Sequence, residues 1–226
     1  MRLQTLEPKN YTYLETGDQC FHYGEYTSEG GYQASDTNQQ ILNLKKKPTV
    51  SEGQLYYKKQ AIEYWGRALE SVIDLSKTIG SHTFVPMPGS KPAGHAEFDD
   101  RMLRVLKRMA VGALKVDIRP LLVQTVERDA QHHGHRLTPD ELCETLAVDP
   151  KFLSPPLAQN IIVVDDVITM GASFAAAKRL LIGLPNVKSV VGIFLAKTVW
   201  PAPEFPVLSP EEVRRLLDPA AKRAQG

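Results

Sequence analysis

A run of four β-branched residues at positions 161–164, Ile-Ile-Val-Val, leads directly into two acids, Asp165 and Asp166. Two more apolar residues follow, then Thr169, Met170, Gly171, Ala172 and Ser173, and then a stretch with helical character. Such an apolar run fits a strand buried on both faces, the environment of a parallel sheet. In an open parallel sheet, ligands sit beyond the carboxyl ends of strands. A loop that enters a helix there presents unpaired N–H groups and the positive end of the helix dipole, which suits a phosphate. Gly171 lets the backbone approach closely, and the Thr169 and Ser173 hydroxyls can donate to phosphate oxygens. Asp165 and Asp166 would repel a phosphate, so they fit either hydroxyls carried a few ångströms away on the same ligand or a bound Mg²⁺. A phosphate joined to a dihydroxylated sugar satisfies both halves. The bland alternative, an acidic turn and an ordinary helix cap, seldom combines paired acids with this loop.

The rest of the chain gives this segment a setting. Apolar residues Leu55, Ile62, Trp65, Leu69, Val72 and Ile73 recur at three and four positions and predict a long helix over residues 54–77, stopped near Gly80. Residues 82–86 read as a strand running into a Pro/Gly-rich loop. Residues 99–114 return to helix, with Asp99 and Asp100 at the end where the macrodipole favours acids. Thr138-Pro139-Asp140-Glu141 is a capping box opening a short helix to about residue 147, and Ser209-Pro210-Glu211-Glu212 is a second one opening a terminal helix. A helix over 175–184 and a buried strand over 190–199 complete the alternation. The pattern predicts an α/β core with a parallel sheet over residues 80–200. Residues 1–50 read as a β-rich piece with a hairpin around Gly30-Gly31, closed by Lys45-Lys46-Lys47-Pro48. The expected division is therefore 1–50, a β-rich subdomain; 54–79, the long helix; 80–200, the core; and 201–226, a C-terminal extension.

Bulk properties exclude more than they identify. A length of 226 residues suits one substantial core with appendages. A formal net charge of +1 gives no general case for nucleic acid or a membrane surface. Cys20 and Cys143 form no metal-ligand pairing and imply no disulfide framework. The opening residues lack the apolar stretch of a signal peptide and no run reaches the length of a membrane span, so a cytoplasmic protein is expected.

The segment at 161–173 resembles the signature of type I phosphoribosyltransferases: a hydrophobic strand, two acids, two apolar residues, then Thr-x-Gly-x-Thr/Ser. The resemblance implies a Rossmann-like core that binds phosphoribosyl pyrophosphate (PRPP) with Mg²⁺. It implies that Asp165 and Asp166 hold the ribose hydroxyls, with the metal carried by PRPP and reached by those two acids. Thr169, Met170, Gly171, Ala172 and Ser173 would wrap the 5′-phosphate. The same family uses a second loop for pyrophosphate, and Pro86-Met87-Pro88-Gly89-Ser90-Lys91 resembles that loop in the competence-protein F (ComF) group and in amidophosphoribosyltransferases. There Pro88 stiffens the approach, Gly89 admits the ligand, Ser90 donates and Lys91 supplies charge, making Lys91 a third catalytic candidate. Phe98-Asp99-Asp100-Arg101, and Val123-Gln124-Thr125 with Arg128, are looser matches to the ComF pattern. The paired cysteines of the ComF zinc site are missing, so its DNA-uptake role does not transfer. Purine-salvage members often carry an acid where Thr169 stands, which counts against that subclass, and Met170 replaces a residue that is often small or hydroxylic.

The resemblance further implies a flap over residues 117–137 that covers PRPP, with Arg128, His132, His133 and Arg136 as candidates to reach the pyrophosphate. The His132-His133-Gly134-His135 cluster has the wrong spacing for one helical face and reads as a solvated loop rather than a metal site. Arg101, Arg104, Lys107 and Arg108 read as a solvated basic helix face. Tyr11, Tyr13, Phe21, Tyr23, Tyr26 and Tyr32 lie where a hood over the acceptor would form, most of them packing the small sheet and one or two free to stack on a base. The function expected is Mg²⁺-dependent transfer of 5-phosphoribosyl from PRPP to a small-molecule nitrogen acceptor, with pyrophosphate released. The alternative is a PRPP or nucleotide sensor, or an accessory or effector subunit of a bacterial system such as antiphage defence, that keeps the site without turnover. A homodimer or a protein partner would use the N-terminal region.

Overall fold

The computed structural model describes residues 2–112, 115–128 and 137–201. Their main sheet has six strands: β1 (Gln4–Thr5), β2 (Cys20–Thr27), β3 (His82–Pro86), β4 (Asp117–Ile118), β7 (Asn160–Ile168) and β8 (Ser189–Val199), in the order β1-β2-β8-β7-β3-β4. All neighbours are parallel except β1, an antiparallel edge on β2. A separate antiparallel pair joins β5 (Leu122–Gln124) to β6 (Leu146–Val148). The helices are α1 (Asp36–Leu44), α2 (Glu52–Glu70), α3 (Arg101–Met109), α4 (Pro139–Thr145) and α5 (Ala172–Ile182).

Alternation along β7 divides the core. Ile162 and Val164 point to one face, where Phe84, Trp65, Leu69 and Leu106 bury them under α2 and α3. Ile161 and Val163 point to the other, against Phe174 and Leu181 of α5 and Leu142 of α4. From β3 the chain departs through α3 to β4 on one side of the sheet order; from β7 it departs through α5 to β8 on the other. The loops after β3 and β7 therefore diverge, and a crevice opens between neighbouring strands at their carboxyl ends.

The α/β architecture and the strands at 82–86 and 190–199 agree with the sequence. So does the helix at 138, where Thr138 accepts from the Glu141 N–H and the Glu141 carboxylate accepts from the Thr138 N–H, at 3.3 and 2.7 Å. Four expectations are corrected. The hairpin around Gly30-Gly31 does not form. The Thr27 N–H and carbonyl instead meet the buried Asn38 side chain at 2.8 and 2.9 Å, and Ser35 caps α1 by accepting from the Asn38 N–H. With its end groups satisfied by a side chain, β2 needs no returning strand, and residues 41–44 lie in α1. β2 itself pairs with β8 in the main sheet rather than in a separate small one. The long helix stops at Glu70, where the Ser71 hydroxyl donates to the Ala68 carbonyl at 2.7 Å. The strand at 161 runs on to Ile168, so both acids lie inside it. The capping box at Ser209 and nearly all of the C-terminal extension lie outside the described residues.

Candidate functional site

A cavity of about 700 Å³ opens at the carboxyl ends of β7, β8 and β2, bounded by the loop that follows β3. Residues 169–173 form one wall. Gly171 has φ +88°, and a Cβ there would lie 2.9 Å from Leu14 Cδ2. Glycine is thus required both for its backbone conformation and for space. The Tyr13 N–H donates to the Met170 carbonyl at 3.0 Å, and the Thr169 and Thr198 hydroxyls share a hydrogen bond of 2.8 Å. These contacts fix the loop. Among the described residues no side chain caps α5 at Gly171, and Ala172 and Ser173 of its first turn line the cavity.

The two acids have separate environments, because neighbours on a strand face opposite ways. Asp165 lines the cavity. Burial and the adjacent Asp166 charge raise its pKa above the ordinary carboxylate range, against the Asp166 N–H that donates to it at 2.7 Å. Asp166 points to the face of α1 and α3 and is buried. Its Oδ1 meets Lys45 Nζ at 3.1 Å, and its Oδ2 receives Arg101 Nη2 at 2.7 Å and Nε at 3.0 Å. Burial alone would raise the Asp166 pKa; the Lys45 and Arg101 charges reverse that and hold it well below the usual range.

Ser90 and Lys91 of the second loop line the same cavity. Pro88 and Gly89 are not among its lining residues; Gly89 lies against the Asp99 carbonyl, which a Cβ would approach to 3.1 Å. Lys91 pairs with Glu127. The Arg128 backbone N–H donates to the Ser90 carbonyl at 2.9 Å, which places this residue beside the second loop. Its buried Nε has no hydrogen-bond partner among the described residues; burial lowers its pKa and the Asp165 charge works the other way. His132, His133 and Arg136 lie outside the described residues.

Lys45, Lys47 and Arg101 also line the cavity; the sequence marks Lys45 and Lys47 only as the close of the N-terminal piece, and Arg101 only within a loose ComF match and a basic helix face. Arg101 corrects the reading of α3 as a solvated basic face: it turns inward, its guanidinium held by Asp166 and Asp99. Burial lowers the Arg101 pKa, but those two carboxylates raise it overall. Arg108 likewise pairs with Glu63 and Glu70 of α2, while Arg104 and Lys107 are exposed. Of the N-terminal aromatics, Tyr13 and Tyr26 line the cavity; Tyr23 packs edge-on against Trp65, with ring centroids 5.9 Å apart. Among the described residues there is no group of three His, Cys, Asp or Glu placed to hold a metal by itself, and no helix long and apolar enough to cross a membrane.

No protein-family model matches the chain, and no curated protein matches it by sequence. Among solved structures, the adenine phosphoribosyltransferase of Trypanosoma brucei, determined with AMP, pyrophosphate and ribose 5-phosphate, is similar with a TM-score of 0.37. The identity is 12%, over 96% of this chain and 100% of that one. The α/β class of the present chain rests on its own strand order.

Proposed function

We propose that the cavity binds PRPP and that the protein transfers its 5-phosphoribosyl group to a nitrogen acceptor, releasing pyrophosphate. The observation that carries this reading is the pairing of two loops across one crevice. A glycine-turned, uncapped helix start follows the acidic end of β7, and the Ser90-Lys91 loop follows the neighbouring strand β3. The first suits a terminal phosphate and the second a diphosphate, with the Asp165 carboxylate between them for ribose hydroxyls.

In this reading the Ala172 and Ser173 N–H groups and the Thr169 and Ser173 hydroxyls hold the 5′-phosphate. Asp165 accepts hydrogen bonds from the ribose hydroxyls. Lys91 and Ser90 hold the diphosphate, and Arg101 and Lys45 stabilise the charge that develops on it as the bond to ribose C1 breaks. Asp166 keeps those two cations in place instead of touching the ribose. Mg²⁺ fits the donor set as a partner of the diphosphate: one cavity-facing carboxylate, Asp165, together with ligand oxygens is a usual way to bind it, and it would neutralise the departing diphosphate. Tyr13, Tyr26, Ser28 and Thr198 are the residues available to an acceptor.

A second reading, a PRPP or nucleotide sensor without turnover, is favoured by one detail. Both oxygens of Asp166 are held in ion pairs, leaving one free acid where the motif supplies two. Release of pyrophosphate from PRPP and Mg²⁺, assayed across purine, pyrimidine and amine acceptors, separates the two. Release with one acceptor class supports transfer; binding without release supports the sensor.

A further inference from the structure

Lys58 sits in the middle of α2, outside the cavity, with its side chain only 3% exposed. Its three ammonium protons are all used: Nζ donates at 2.7 Å each to the Leu44 carbonyl, the Lys46 carbonyl and Asp99 Oδ2. Those three acceptors close a circuit. Asp99 Oδ2 also receives Arg101 Nη1 at 3.0 Å, Arg101 grips Asp166, Asp166 holds Lys45, and Lys45 lies between the two carbonyls that return to Lys58.

Burying an ammonium group is unfavourable unless it is fully paired, and burial does lower the Lys58 pKa despite the Asp99 partner. The circuit gives it a definite electrostatic effect. With Lys58 it holds three cations against two carboxylates; without Lys58, Lys45 and Arg101 are matched by Asp99 and Asp166, and the circuit has no surplus charge. We infer that Lys58 is a positioning residue for an anion: by neutralising Asp99 and holding the turn that carries Lys45, it leaves Arg101 and Lys45 able to receive a diphosphate. The inference rests on the PRPP reading of the cavity and adds a residue that touches no ligand.

The test is calorimetry of the full chain with two probes, inorganic pyrophosphate and ribose 5-phosphate. None of the hydrogen bonds and ion pairs that build the circuit involves residues 169–173, the proposed seat of the sugar phosphate. Lys58→Met should therefore weaken pyrophosphate roughly tenfold, the scale of one unit charge acting through a partly screened interior. Its ribose 5-phosphate affinity should stay within about twofold. Adding Asp99→Asn to Lys58→Met restores the charge balance and should recover pyrophosphate binding. Asp99→Asn alone should tighten it, which keeps the inference testable where Lys58→Met does not fold. Equal loss of both probes in Lys58→Met, or no change in either variant while the wild type binds both, overturns the role of Lys58 and leaves the PRPP reading standing. A wild type that binds neither probe overturns both.

Discussion

Arg101 donates two hydrogen bonds to a single oxygen of Asp166, from Nη2 at 2.7 Å and Nε at 3.0 Å, while Lys45 holds the other oxygen at 3.1 Å. Asp166 is therefore an internal anchor, and its neighbour Asp165 is the acid that meets the cavity. The pleat of one strand gives two adjacent carboxylates with the same chemistry different surroundings.

Stability should separate them. Asp166→Asn leaves Arg101 and Lys45 without their shared counter-charge and should lower unfolding free energy by about 3 kcal/mol. Asp165→Asn removes a carboxylate whose ionised form the fold disfavours, while the amide oxygen can still accept from the Asp166 N–H, so stability should change by less than about 1 kcal/mol. Urea unfolding of both variants checks this. A larger loss in Asp165→Asn would reverse the assignment.

The pH dependences also carry opposite signs. The folded pKa of Asp165 is raised, so its proton-linked contribution is present in acid and lost as pH rises through that pKa. That of Asp166 is depressed, so its contribution is present above the unfolded value and lost as pH falls through the folded pKa. Ribose 5-phosphate binding, which uses Asp165 ionised, should weaken on acidification before an ordinary carboxylate would protonate. The ligand phosphate titrates as well, so the readout is the difference between wild type and Asp165→Asn. Identical profiles for the two would remove Asp165 from the ribose site.

Much of the fold around the cavity is legible in the sequence because it is local. Four β-branched residues and a glycine before a helix mark the strand and the start of α5 without knowledge of any partner strand. The rest is non-local. The inward turn of Arg101 depends on Asp166, 65 positions away, and α3 alone presents only a basic stripe. Lys45 and Lys47 looked like the end of a subdomain because the fold that carries them to the cavity passes through Lys58 on another helix. Strict alternation along β7 was the available signal: it sends Asp165 and Asp166 to opposite faces and asks for a cation behind the second acid. The hairpin expected at Gly30-Gly31 failed for a related reason, since the groups that a second strand would have paired are taken by Asn38.

Gly171→Ala should be poorly tolerated. Its φ of +88° disfavours any side chain, and the new methyl would press on Leu14. A loss of about 2 kcal/mol is expected, together with loss of ribose 5-phosphate binding. Thermal unfolding and calorimetry on the same preparation check both, and normal binding would show that the loop does not hold the phosphate.

The cysteines offer a check on packing. Cys20 is fully buried and its thiol is pushed up to about 12, chiefly by burial and then by Asp18. Cys143 is half-buried. A disulfide reagent at mildly alkaline pH should modify Cys143 in the native protein and Cys20 only after unfolding. Equal rates would contradict the burial of β2 against β8.

The PRPP reading is tested most directly by calorimetric titration of the wild type and Asp165→Asn with PRPP and Mg²⁺. The wild type should bind one PRPP per chain, and Asp165→Asn should bind at least about tenfold more weakly, the scale of lost hydrogen bonds to a charged group. A wild type that gives no binding, or an Asp165→Asn variant that retains full affinity, would contradict a ribose-phosphate site at the end of β7.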